Sequence, residues 1–338
     1  MTNINIDKWE TIKDEDWGSL LLGNGASIAI HQGFGYKTLH GVAARGGLLP
    51  NAAPIFKRLG TTDFERVLLA CWYAEEVNVA LKNRSADITA AYAEVREALI
   101  KTVCSVHPEH SKVEQDLEQI GKFASDFSTV VSLNYDLTLY WAMQIFNSKK
   151  TNWFKDAFIL NGKFETNWEY LRRPYQSTIG ATLVFYPHGS LSIVRDYFSD
   201  EKKISETNSV EDTLLAAITD EWLTGRGVPV FVSEGISVQK VAAIRRSPYL
   251  MNVYEKVLSD VGNSLVVYGW SFGDQDQHVL SAIKRKPPAL MAVSVYTGQS
   301  QADQQAFCHN LSGTISGFMP NTSVKFFDSH SAGCWNNS

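Results

Sequence analysis

The strongest constraint on the fold is a series of short apolar runs, rich in β-branched residues, with helical patterns between them. Runs such as VPVFVS and NSLVVYG are almost unbroken, which is typical of strands buried on both faces of a parallel sheet. The pattern predicts an α/β fold, a Rossmann-like doubly wound parallel sheet in which these two runs are central strands. The predicted strands cover residues 19–22, 129–133, 182–186, 228–233, 264–268, 290–296 and 323–327.

The long segments between these strands are interpreted as additions to a single domain that covers residues 1–338. Residues 61–128 place apolar side chains three and four positions apart and predict an inserted helical layer. Residues 147–179 are rich in aromatic, Asn and Arg residues without a clear period, so we expect a loop-rich excursion over the active face. A surface loop is expected at 199–211, and residues 332–338 are expected to be frayed.

Charge and cysteine content narrow the class of protein. A net charge of −5 offers no general attraction to nucleic acid or to anionic lipid, so neither is expected as a partner. The acidic, polar start is unlike a secretory signal, and no run approaches the roughly 18 apolar residues of a membrane span. The four cysteines include no C-x-x-C pair, which excludes the common zinc-ribbon spacing and gives no sign of a disulfide framework. We therefore expect a cytoplasmic location.

The first candidate site is a glycine-rich turn between a predicted strand and a predicted helix. Its glycines permit close backbone approach, and N–H groups at the helix start can hold a phosphate. The alternative is steric, because strand-to-helix turns need glycine for the chain reversal alone. The turn consists of Gly23, Asn24, Gly25, Ala26 and Ser27.

Two polar residues, Asn134 and Asp136, end the apolar strand VVSL. Ligands of open α/β sheets sit outside the carboxyl ends of the strands, where these side chains would project. An amide can orient a ribose hydroxyl or water, and a carboxylate can accept from a carboxamide N–H. The alternative is that Asp136 caps the helix predicted at 137–146, which explains one polar residue more easily than two.

A histidine, His188, follows another predicted strand and precedes Gly189. Its position suits a general base acting on a ribose hydroxyl or on water. A structural histidine with satisfied hydrogen bonds is the alternative, and the place at a strand end favours the functional interpretation.

A second glycine turn follows the strand SLVVY. Its backbone N–H groups and the Ser271 hydroxyl suit a phosphate or ribose, although turn chemistry alone also selects Gly, Ser and Asp. The turn comprises Gly269, Trp270, Ser271 and Phe272, and continues to Asp274. The nearby Asp274, Asp276 and His278 suggest a metal, but without a further spaced ligand we interpret the aspartates as helix caps and expect no metal.

The four motifs occur in an order that resembles the sirtuin-like fold of bacterial anti-phage NADases, from about Leu20 to Tyr296. They also resemble an uncharacterised bacterial family grouped with those enzymes. The resemblance implies that NAD is the substrate and that three residues are catalytic. Asn134 would orient the ribose or a water, Asp136 would hold the carboxamide, and His188 would act as the base. The resemblance also implies that both glycine turns, residues 23–27 and 269–272, bind NAD.

The sequence differs from true sirtuins in three respects. The paired-cysteine zinc module is missing, which argues against protein deacylation. Leu133 stands where a glutamine usually precedes the motif Asn, and the interval between Asp136 and His188 is much longer. Water is therefore the expected acceptor, with nicotinamide and ADP-ribose as products.

The biological expectations follow from the resemblance alone. They are depletion of NAD in abortive infection, a homo-oligomer, and an activating phage or host partner protein. Two alternatives stay open: a non-catalytic sensor of NAD or ADP-ribose that signals by assembly, and an ADP-ribosyltransferase.

Overall fold

A seven-stranded parallel sheet forms the centre of the protein. The computed structural model describes residues 3–34, 39–62, 64–83, 86–150, 152–159, 162–173, 181–195, 201–204, 213–224, 228–232 and 236–338. The strands of this sheet are β1 (Ser19–Leu22), β2 (Thr129–Ser132), β3 (Phe154–Asp156), β4 (Thr182–Phe185), β8 (Ser264–Tyr268), β9 (Leu290–Val295) and β10 (Ser323–Asp328). Their order is β10-β9-β8-β1-β2-β4-β3. The predicted Rossmann-like doubly wound class is confirmed.

Helices flank the sheet, and three of them lie within residues 61–128. The helices are α1 (Trp9–Ile12), α2 (Asn24–Ile30), α3 (Leu39–Arg45), α4 (Ala53–Leu59), α5 (Phe64–Ala80), α6 (Ala86–Val106), α7 (Glu114–Ala124), α8 (Thr138–Lys149), α9 (Thr213–Leu223), α10 (Ser237–Ile244), α11 (Pro248–Asn252), α12 (Gln277–Ile283) and α13 (Gln301–Phe318). One π-helical turn, Val253–Val257, continues α11. The long helices α5 and α6 pack on each other, and α7 packs on α8.

A second sheet corrects the expectation that VPVFVS is a central strand. This antiparallel sheet contains β5 (Gly189–Arg195), β6 (Glu201–Lys203) and β7 (Val228–Phe231) in the order β6-β5-β7, so β7 is an edge strand. Pro229 lacks a backbone N–H and suits an edge. The apolar character of the run is explained by other contacts, since the ring of Phe231 stacks on Tyr135 at 5.1 Å. Ser233 lies outside the described residues.

The expected loops at 147–179 and 199–211 each contain a short strand that was not predicted. In the first, β3 pairs with β4 at the far edge of the large sheet, and Trp168 Nε1 donates to Asn252 Oδ1 at 2.9 Å. β3 therefore lies at that edge, while Arg172 Nη1 donates at 3.1 Å to the carbonyl of Ser128, just before β2. In the second, β6 pairs with β5. Three-residue strands are too short to show a period in sequence.

The expectation of a frayed end at 332–338 is wrong. Trp335 is buried, and its indole Nε1 donates to the carbonyl oxygen of Ala26 in α2 at 2.8 Å. Asn336 Nδ2 also donates to the carbonyl of Ala29, at 3.3 Å. Burial of the Trp335 ring and the hydrogen bond of its N–H stabilise this segment, although its other residues are mostly polar.

The order of the strands reverses at β1, and this reversal places the site. From β1 the chain adds β2, β3 and β4 on one side of the sheet and later adds β8, β9 and β10 on the other. Ligands of such sheets bind outside the carboxyl ends of the strands at this switch point. Here it lies between β1 and β8, whose last residues Leu22 and Tyr268 are in register.

Candidate functional site

The two glycine turns meet at the switch point, backbone against backbone. Gly23 N donates to Tyr268 O at 2.9 Å, and Gly25 N donates to Gly269 O at 2.7 Å. A Cβ on Gly23 would lie 2.5 Å from Trp270 Cα, and one on Gly269 would lie 2.3 Å from Ala26 N. Close packing of the turns therefore requires glycine at these positions, so the steric interpretation accounts for them.

This packing also determines which N–H groups a ligand can reach. The N–H groups of Gly23 and Gly25 have the partners just described, and Ala26 N donates to Gly23 O at 2.9 Å. A phosphate at the start of α2 would need other donors. Asn24 is half-buried beside these groups, and its Nδ2 donates to Phe34 O at 3.2 Å.

Three polar side chains form a hydrogen-bonded group where β1 and β2 end. Ser27 Oγ donates to Asp136 Oδ2 at 2.5 Å and accepts from Asn134 Nδ2 at 2.9 Å. Asn134 Nδ2 also donates to Gly23 O at 2.9 Å. Both amide hydrogens are thus committed, which turns the Oδ1 of this half-buried side chain away from Ser27 and makes it available to a ligand. We call Ser27, Asn134 and Asp136 the polar triad.

Asp136 caps a helix, as one interpretation of its sequence position predicted, and it also binds a second side chain. It is buried, and its Oδ1 accepts from Thr138 N at 2.9 Å at the start of α8, which is the capping interaction. Its Oδ2 meanwhile fixes Ser27. Each carboxylate oxygen can accept two hydrogen bonds, so a ligand N–H can still be bound.

His188 lies beside the polar triad but faces another histidine. Its Nε2 is 2.8 Å from Nε2 of His278 at the start of α12, and both residues are 3% exposed. The backbone carbonyl of Leu133, the residue before Asn134, accepts a hydrogen bond from the same ring. Both ring nitrogens are therefore committed, and His188 can act as a base on a ligand only after one of these contacts opens.

Burial keeps both histidines neutral. It holds the pKa of His188 well below the ordinary value, and the Lys240 cation and His278 lower it further. Burial likewise lowers the pKa of His278 to about 4, with Lys240 contributing and Asp276 opposing. Two uncharged imidazoles thus face each other at neutral pH.

An ion pair adjoins the two rings. Lys240 Nζ donates to Asp276 Oδ1 at 2.7 Å, and the two side chains are 7% and 13% exposed. Burial disfavours the charged carboxylate, but His188 and Lys240 more than offset it, and the pKa of Asp276 is lowered. The indole Nε1 of Trp270 lies 3.4 Å from Asp276 Oδ2. The second glycine turn is thereby fixed to this ion pair.

The rest of the second turn varies in exposure. The ring of Phe272 stacks on Trp270 at 4.0 Å, and Phe272 adopts a positive φ of 55°. Ser271 is exposed and Gly269 half-buried. Gly269 N donates to Ser294 Oγ at 2.9 Å. Ser271 is the side chain of this turn that a ligand reaches most directly.

A cavity of about 730 Å³ lies beside the start of α10. Ile236 and Gln239 line it, while Ser237, between them in sequence, accepts at Oγ from His278 N at 3.0 Å. The cavity and the histidine pair therefore share one short segment of backbone. Its other lining residues include His40, Phe56, Lys57 and Thr61.

The structure thus joins most of the predicted site and adds residues that were not predicted. The polar triad and the first glycine turn share hydrogen bonds, and His188 connects to them through Leu133. Sequence reasoning missed the role of Lys240 and found no third ligand near Asp276 and His278, because His188 lies 90 residues from His278 along the chain. An isolated lysine in the apolar helix SVQKVAAI was the available signal.

These features define a Rossmann-like α/β protein with a polar site at the switch point of its sheet. Residues 20–335 match the family model described as domain of unknown function (DUF4917), and the chain belongs to that family. A search of curated proteins found no match. Among the described residues, no helix has the length and apolar character needed to cross a membrane.

Proposed function

We propose that this protein binds NAD at the switch point and hydrolyses its nicotinamide glycosidic bond. The observation that carries the proposal is the polar triad, a hydrogen-bonded group at the carboxyl ends of β1 and β2, which Gly23 joins to the switch point where doubly wound sheets bind dinucleotides. Buried polar groups are costly unless they are satisfied, so this network holds its members in one geometry.

The reaction breaks the bond between ribose C1′ and the nicotinamide nitrogen, and the electron pair leaves with neutral nicotinamide. A ribosyl cation develops, which the buried carboxylate of Asp136 stabilises through the Ser27 hydroxyl. Asn134 Oδ1 orients a ribose hydroxyl or the attacking water. The water oxygen then bonds to C1′ and loses one proton to the solvent, which gives ADP-ribose.

In this proposal the exposed Ser271 and the backbone of the second glycine turn bind the adenosine half of NAD. His188 positions Asn134 through the carbonyl of Leu133, and it becomes a base only if its contact with His278 opens. By the resemblance of the motifs, we further propose that the protein acts in the cytoplasm as a homo-oligomer that depletes NAD after a phage or host protein activates it.

One observation favours a second function, a non-catalytic sensor of NAD or ADP-ribose. Both ring nitrogens of His188 are committed, so the described structure presents no free imidazole nitrogen of His188 to a ligand. A site of this kind can bind a dinucleotide without turning it over.

The test is release of free nicotinamide from NAD by the full chain, compared with Asn134→Ala. The matched control is Asn321→Ala, which removes an exposed amide just before β10 and away from the polar triad. We expect release by the wild type and by Asn321→Ala, and a loss of at least about 100-fold in Asn134→Ala. Equal release by all three proteins contradicts the proposal, and tight NAD binding without release supports the sensor.

A further inference from the structure

The side chains of His188, Asp276 and His278 form a compact buried cluster next to the second glycine turn. One nitrogen from each ring and one carboxylate oxygen all lie within 4.8 Å of one another. Both histidines are 3% exposed, and the Asp276 side chain is 13% exposed. His188 follows β4, Asp276 lies just before α12, and His278 lies in the first turn of α12.

The outer contacts of the two rings orient them toward a common point. The carbonyl of Leu133 accepts from the ring of His188, and the carbonyl of Gln275 accepts from the ring of His278. Because the Nε2 atoms face each other, the outer nitrogens are the Nδ1 atoms, and Nδ1 of His278 also lies 3.4 Å from Ser237 Oγ. A histidine that donates from Nδ1 to a backbone carbonyl presents a lone pair at Nε2, which is the arrangement typical of histidines bound to metals.

At 2.8 Å, the two Nε2 atoms need either a proton on one of the rings or a cation between them. A shared proton would satisfy the pair, and so would a metal ion. Asp276 supplies a third ligand of opposite charge within reach of the same point. Two imidazoles and one carboxylate are a donor set that zinc, iron(II) and related ions prefer.

We propose that His188, Asp276 and His278 bind one divalent transition-metal ion. At Zn–N distances of about 2.0–2.1 Å, the two nitrogens of a tetrahedral site lie roughly 3.3 Å apart, so the rings need to separate by only about half an ångström. Three protein ligands leave at least one coordination position for water or a ligand group. The inference stands on the geometry of this cluster and does not depend on the proposed reaction.

Lys240 is the neighbour that sets the affinity. Its ammonium group holds Asp276 Oδ1, while Oδ2 has only the longer contact with Trp270 Nε1, at 3.4 Å, so Oδ2 is the oxygen that can turn toward an ion. The same ammonium group repels a cation. Lys240→Met keeps most of the side-chain volume and removes this charge, so we expect it to tighten metal binding by about tenfold or more.

The experiment is a titration of the full chain, stripped with a chelator and desalted, with Co²⁺ followed by ligand-field absorption and with Zn²⁺ by chelator competition. We expect one equivalent of metal in the wild type. The His278→Gln and His188→Gln variants should lose at least about 100-fold in affinity, because even outer-shell changes reach that size. His309→Gln, which removes a partly exposed histidine on α13, is the matched control and should bind as the wild type does.

Two results would overturn the proposal. One is a wild-type chain that takes up no stoichiometric Co²⁺ or Zn²⁺, which would assign a shared proton to the ring pair. The other is equal affinity in His278→Gln and His309→Gln. The wild-type titration needs no variant to fold, and circular dichroism of each variant separates a lost ligand from a lost fold. Neither readout involves NAD, so failure here is distinguishable from failure of the proposed hydrolysis.

Discussion

Ser27 Oγ donates a 2.5 Å hydrogen bond to Asp136 Oδ2, and this bond joins the helix that follows β1 to the carboxyl end of β2. The two residues are 109 positions apart in the chain. The serine also accepts from Asn134, so a single hydroxyl links the carboxylate to the amide of the polar triad. The geometry of both depends on this one oxygen atom.

Ser27→Ala is therefore expected to disturb both stability and activity. It leaves the buried Asp136 Oδ2 without its donor and removes one of the two acceptors of Asn134 Nδ2, which should cost about 1–3 kcal/mol of unfolding free energy. Urea denaturation measures this loss, and nicotinamide release should fall with it. The exposed Ser316→Ala on α13 is the control, expected within about 0.5 kcal/mol of the wild type. Equal free energies of unfolding for the two variants would show that the bond between Ser27 and Asp136 does not stabilise the fold.

Two glycines separate the effect of backbone strain from that of packing. Gly262 and Gly269 both have positive φ, at 79° and 70°. A Cβ on Gly262 meets nothing within 4 Å, whereas one on Gly269 lies 2.3 Å from Ala26 N. We expect Gly262→Ala to cost about 1–2 kcal/mol from strain alone, and Gly269→Ala to cost about 1–3 kcal/mol more. Thermal and urea unfolding of both variants measure the difference, and similar losses would mean that the turns can move apart.

The neutral histidine pair makes stability fall in acid. The pKa of His278 is about 4 in the folded chain and 6.5 in its ordinary state, so the unfolded chain binds more protons between these values. The contribution of neutral His278 to the free energy of unfolding is complete above pH 6.5. It falls by roughly 3 kcal/mol as the pH falls toward 4. Urea denaturation in a chelator at several pH values measures this slope. His278→Gln should flatten it and His309→Gln should not; the same slope in both would place the titrating group elsewhere.

The buried end of the chain is expected to support α2. Trp335→Phe keeps an aromatic ring but removes the N–H that donates to Ala26 O, so it should cost about 1 kcal/mol. Trp335→Ala empties a buried site and should cost about 3–5 kcal/mol. Differential scanning calorimetry measures both changes. A frayed end, by contrast, would tolerate either substitution without a shift in melting temperature.

Sequence reasoning was most accurate where local pattern and fold agree. The bounds of β1 and β8 were predicted correctly, because both are continuous apolar runs buried in the middle of the sheet. The same criterion was wrong for β7, whose apolar residues are buried by Tyr135 and by helices rather than by neighbouring parallel strands. An apolar run predicts that a strand is buried, but it does not predict which element packs against it.

The candidate site shows a similar division. Asn134, Asp136 and the first glycine turn were predicted to lie together because the carboxyl ends of adjacent parallel strands share one edge. The pairing of His188 with His278 depends on how the chain crosses between strands over 90 residues, and no local pattern encodes that. The burial of Trp335 was missed for the same reason, since its partner Ala26 is 309 residues away.

That last separation has a consequence for synthesis of the protein. The strand and helix that carry Gly23 and Ser27 are made early, but the residue that closes over α2 emerges from the ribosome only after more than three hundred others. During most of translation, the first glycine turn also lacks β8, the partner against which it packs. The dinucleotide site proposed here would therefore assemble only after the segment that carries Trp335 has been made, and a growing polypeptide would not act on NAD before that point.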